Sequence, residues 1–88
     1  MDLKLSHQKD LAEDWNISAS ATAGAGEKIA SAQIVVNGST EFDQSFDQPL
    51  SSWQKELKQK GVYPGDNTVR LAITDDKGAE TDAEDSWS

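Results

Sequence analysis

Apolar and polar residues alternate through most of this chain. From Trp15 to Ala23, WNISASATA places Trp15, Ile17, Ala19 and Ala21 on one face and Asn16, Ser18, Ser20 and Thr22 on the other. That is the period of two of a half-buried strand, and its small alanines would let a facing sheet approach closely. AGAGEK (23–28) reads as a turn through its glycines, after which IASAQIVVNG (29–38) alternates Ala32, Ile34 and Val36 against Ser31, Gln33 and Val35. Asn37-Gly38 is a strong hairpin signal, because a type I′ turn needs positive φ at both central positions and these residues tolerate it. STEFDQSFDQ (39–48) carries Phe42 and Phe46 on one face and reads as a short return strand closed by Pro49.

The next segment, LSSWQKELKQKG (50–61), fits two elements. Trp53 and Leu57 are four apart, and Ser51 or Ser52 could cap a short helix ending at Gly61; four is also an even spacing, and the neighbouring short strands favour a strand. VYPGD (62–66) is a turn on either reading. NTVRLAITDD, from Asn67, is the clearest strand, with Val69, Leu71 and Ile73 facing inward and Thr68, Arg70, Ala72 and Thr74 outward. After the DDKG turn, Ala79, Thr81 and Ala83 share a parity that Trp87 keeps, which describes a weakly apolar last strand. At the front, LKL (3–5) looks like a first, edge-type strand, and SHQKDLAED is a polar connection. Six or seven short strands without a long helix or strand–helix alternation predict an all-β, antiparallel sandwich.

Composition narrows this picture. Eighty-eight residues suffice for one small domain, which would bury roughly 60–65% of its unfolded surface, so residues 1–88 are read as a single unit whose residues 1–14 supply an edge strand and connection. Apolar residues make up only 35%, but they are clustered, and three Trp, two Phe and one Tyr argue against disorder. Sixteen acidic against eight basic side chains give a net charge of −8, a field that repels phosphate backbones and anionic membranes, so nucleic acid is not an expected partner. Lys55, Lys58 and Lys60 read as a solvated face. Cysteine is absent, which removes disulfides, thiol nucleophiles and cysteine-held metals and mildly favours a bacterial or archaeal source. No apolar run approaches the ~20 residues of a membrane span, and MDLKLSHQKD lacks the apolar centre of a signal peptide. If Met1 is only the start of a piece cut from a longer chain, the export signal lies elsewhere.

Two stretches resemble bacterial immunoglobulin-like domains. NTVRLAITDDKGAET (67–81) looks like the penultimate strand, turn and last strand of that family, where a G-x-N-x-V-x-V-x-A-x-D-x-x-G run recurs; here it begins at Gly65, with Asn67, Val69, Leu71, Ile73, Asp75 and Gly78 in matching roles. IASAQIVVNGS (29–39) similarly resembles the middle strand and V-N-G turn. The DDKGA turn is also similar to PKD-type domains, but their W-D-F-G-D-G turn is missing. The resemblance implies an immunoglobulin-like sandwich of about seven strands, serving as an extracellular or cell-surface accessory module of a larger exported microbial protein.

Candidate chemistry is sparse. The single histidine, His7, stands in a polar segment beside Lys9 and Asp10 and is expected to be exposed. No G-x-S-x-G elbow, phosphate loop or H-E-x-x-H appears, so the expected role is non-enzymatic. Calcium is the alternative to weigh, because it takes 6–8 hard oxygens and Asp75, Asp76, Glu80, Asp82, Glu84 and Asp85 are eligible. Of these, Asp75 and Asp76 are the candidate ligands, although the spacing is not that of an EF-hand. Glu80, Asp82 and Glu84 would line one strand face and repel one another unless a cation sits nearby. A third option is glycan or protein contact through Trp53 or Trp87, of which Trp87, near a free end, is the one expected to be exposed; Trp15 is expected in the core. The expected role is therefore spacing, or contact with neighbouring domains or a protein or glycan surface. A calcium-stabilised adhesion module and a carbohydrate-binding module of a polysaccharide-active enzyme are the alternatives.

Overall fold

The computed structural model describes residues 1–9, 11, 14–59 and 66–87. The turn expected at VYPGD, and Gly65 of the family-like run, fall largely or wholly outside them. Seven strands are present: β1 (Asp2–Lys9), β2 (Trp15–Thr22), β3 (Ile29–Val36), β4 (Ser39–Leu50), β5 (Ser52–Gln59), β6 (Asn67–Asp75) and β7 (Glu80–Trp87). They form two antiparallel sheets, ordered β1-β2-β5 and β4-β3-β6-β7, so the expected immunoglobulin-like sandwich is what the chain builds. The core lies between the sheets: Ile17, Ala19 and Ala21 face Ile29, Ala32, Ile34, Val36, Val69, Leu71 and Ile73, all buried.

The ambiguous segment is a strand. In β5, Trp53 pairs with Ala21 and Leu57 with Ile17, which turns both side chains inward and gives β2 its second partner; a helix would have left one edge of β2 unpaired. Asn37 and Gly38 take φ of 50° and 80°, the positive values of the expected tight turn. The return strand, however, does not stop at Pro49. β4 continues to Leu50, with a register shift opposite Ile29 and Ser31. Because β4 is an edge strand, a residue without an N–H donor costs it no ladder bond.

The register fixes which turns share an end. Thr22 leads through the 23–28 turn to Ile29, and Ile29 pairs with Asp75. The 23–28 and 76–79 turns and the start of β1 therefore lie at one pole. Lys9, Trp15, Gln59, Asn67, Trp87 and the Asn37-Gly38 turn lie at the other. The molecule extends 42 × 21 × 19 Å. Across the sandwich, β1 makes its closest approach to β7, and both run from the glycine-rich pole to the tryptophan pole.

Candidate functional site

The densest side-chain constellation sits where β1, β2 and β7 converge. Strand parity decides its membership: Leu3, Leu5 and His7 alternate with Lys4 and Ser6, so His7 points between the sheets. Its ring stacks on Trp87 at 4.4 Å between centroids and 19° between planes, and meets the edge of Trp15 at 5.5 Å and 60°. Trp15 and Trp87 are 5.0 Å apart. His7 Nδ1 is bonded to Asp85 Oδ2; a carboxylate oxygen only accepts, so Nδ1 carries the proton. Asp85 in turn accepts from the backbone N–H of Ser86 at 3.0 Å.

This arrangement corrects two expectations. His7 is not an exposed polar residue, and Trp87 is not a free indole at a chain end but a half-buried side chain packed against the core. Both follow from parity, since His7 continues the Leu3–Leu5 series and Trp87 the Ala83 series. The cluster ties β1 to β2 and β7. The imidazole's contacts are a carboxylate and two indoles, and an indole offers neither a nucleophile nor a base. The Nε1 atoms of Trp15 and Trp87 are enclosed with no hydrogen-bond partner.

Trp53, the other aromatic candidate, faces inward from β5 and lies 5.8 Å from Phe42. Lys55, two residues on, shares that parity and sets its Nζ 5.3 Å from the Phe42 ring centroid. Phe46 is packed against the core as well. Both indoles are half-buried, each with ring neighbours on the inward side.

Asp75 closes the β6–β7 turn. Its Oδ1 accepts from Lys77 N at 2.9 Å and Ala79 N at 2.8 Å, its backbone N–H donates to Ala79 O at 2.9 Å, and Gly78 N donates to Asp75 O at 3.1 Å. Gly78 has φ 89°, where a side chain would be strained. One Asp75 oxygen is thus engaged by the backbone. Asp76, beside it, is exposed, and its N–H donates to Lys28 O at 3.1 Å. Among the described residues, no group of three His, Asp or Glu side chains is arranged to hold a metal ion.

The acidic row on β7 has its cation. Arg70, outward on the adjacent strand, bonds Asp82 through Nε at 3.1 Å and Nη2 at 3.0 Å and reaches Glu80 at 3.4 Å. The hydrogen bond to Asp82 raises the guanidinium pKa above its ordinary value, with the charges of Asp82 and Glu80 adding to it. A raised pKa contributes fully below the unfolded value and is lost only as pH rises through the folded one. Arg70 therefore adds no pH dependence near neutrality. The outward parity shared by Arg70 and the acids of β7 is the sequence signal for this pairing.

No protein-family model matches the chain, and none of the curated proteins matches it. Among solved structures it is similar to the fibronectin(III)-like modules of Clostridium thermocellum CbhA. The match has 21% identity and a TM-score of 0.58, and covers 97% of this chain and 90% of that one. The likeness is one of fold: an immunoglobulin-like sandwich over essentially the whole chain.

Proposed function

We propose that this chain is a non-catalytic spacer and contact module of a larger exported microbial protein, joined to neighbouring domains at its two poles. The observation that carries the reading is axial. β1 begins at the glycine-rich pole and β7 ends at the tryptophan pole, at opposite ends of a molecule 42 Å long and about half as wide. Chain entering at one pole and leaving at the other separates its neighbours by the full length of the sandwich. The likeness to modules of a bacterial protein supports the same role by analogy of fold. So does the placement of the best-organised side chains, which join strands to one another. Among the described residues no helix is long and apolar enough to cross a membrane, and the net charge of −8 disfavours nucleic acid.

Small-angle scattering on direct fusions of one, two and three copies tests the reading. The maximum dimension should grow by about 42 Å with each copy. Copies that fold back side by side, with no such growth, would refute it.

A further inference from the structure

The turn between β3 and β4 carries a reactive dipeptide whose chemistry the fold controls. Asn37 and Gly38 are exposed, yet the Asn37 carboxamide is tied at both ends to β6. Its Oδ1 accepts from Thr68 N at 2.9 Å, and its Nδ2 donates to Asn67 Oδ1 at 3.1 Å. The Asn37 backbone N–H also donates to Thr68 O at 2.9 Å. Asn67 is itself only 2% exposed. Because Thr68 N can only donate, the oxygen of Asn37 must face it, and this leaves the amide nitrogen toward Asn67.

We propose that Asn37-Gly38 is a self-modification site, closed while the Asn37 side chain rests on β6 and opened when the turn detaches. In the open state the Gly38 nitrogen attacks Cγ of Asn37. The new N–Cγ bond forms, the Cγ–Nδ2 bond breaks, and Nδ2 leaves as ammonia with the proton given up by Gly38. Water then opens the cyclic imide at either carbonyl, giving aspartate or isoaspartate. The balance is one water consumed and one ammonia released, with no redox change. Asparagine is a heat-labile residue for this reason, and glycine, having no side chain, obstructs the attack least. Here the electrophilic carbon is held toward β6 by two hydrogen bonds, so reaction waits on local opening and its rate follows the open fraction.

The product does not fit the closed turn. Aspartate exchanges the donor facing Asn67 Oδ1 for a charged acceptor. Isoaspartate adds a backbone carbon to a two-residue turn that sets the Val36–Ser39 and Ile34–Phe42 pairings. One opening event would thus be recorded covalently as a weaker β3–β4 hairpin.

Peptide mapping by mass spectrometry of the intact chain held in mildly alkaline buffer, beside a synthetic peptide of residues 33–43, tests this. Aspartate and isoaspartate at position 37 should accumulate at least about 10-fold more slowly in the folded chain. Equal rates would overturn the proposal. Asn67→Ala, shown folded by circular dichroism, should accelerate conversion several-fold; a folded variant with an unchanged rate would also overturn it. If that variant does not fold, urea below the unfolding transition replaces it: the wild-type conversion rate must rise in step with hydrogen exchange at the Asn37 amide, and conversion that ignores it sinks the idea.

Discussion

The two lateral sides of this sandwich are finished differently. On the β1/β7 side the sheets approach each other, and His7 bridges them by stacking on Trp87, meeting Trp15 and bonding Asp85. On the β4/β5 side the contact across the gap is thinner: Trp53 leans on Phe42, and the inward position between Trp53 and Leu57 is a lysine, Lys55. Both sides are lined by edge strands, which expose unpaired backbone groups and invite association. One side answers with a bond between its two edges. The other keeps a charged side chain among apolar ones, directed inward from the edge, which discourages another chain from pairing there.

If that contrast is right, truncating the tryptophans should not be equivalent. Trp15→Ala, which removes contacts to two rings, should destabilise by about 3 kcal/mol, and Trp53→Ala by about 2 kcal/mol. Urea unfolding followed by far-ultraviolet circular dichroism measures both, and equal losses would erase the distinction. His7→Ala should cost about 1 kcal/mol through the lost carboxylate bond and stacking, with the effect concentrated in β1: its amides should exchange faster while those of β3 and β6 hold. Uniform acceleration would mean His7 is not a local bridge. Smallest of all, Lys55→Ala should lower the unfolding free energy by no more than about 0.5 kcal/mol. Size-exclusion chromatography with light scattering should nevertheless show more self-association at high concentration. A variant that stays as monomeric as the parent would remove the guarding role.

Several of the structural assignments could be read directly from the chain. The alternation through Trp15–Thr22 and Asn67–Asp75 specified strands and their buried faces, because a period of two leaves only one way to hide Ile17 or Leu71. The turn at Asn37-Gly38 followed from local backbone preference. The DDKG turn also follows from its residues, and the bonds from Lys77 and Ala79 to Asp75 close it. His7 carries a signal in its parity with Leu3 and Leu5, which its polar neighbours mask. Trp87 was read as exposed because a strand's face can be deduced from its own residues, whereas what lies opposite that face cannot.

The sequence by itself therefore determined the strands and buried faces of β2 and β6, the Asn37-Gly38 turn and the antiparallel sandwich class, since period, turn residues and side-chain size act over a few neighbours. Only the tertiary structure decided the partners. It brought His7 to Asp85 across 78 positions and Asn37 to Asn67 across 30, and it set Arg70 beside Asp82 and Glu80. It also made a strand of the segment around Trp53 by giving it β2 to pair with. The reason is physical: hydrogen bonds and ring contacts of that kind depend on sheet order and register, which are settled when the whole core is buried at once and not residue by residue.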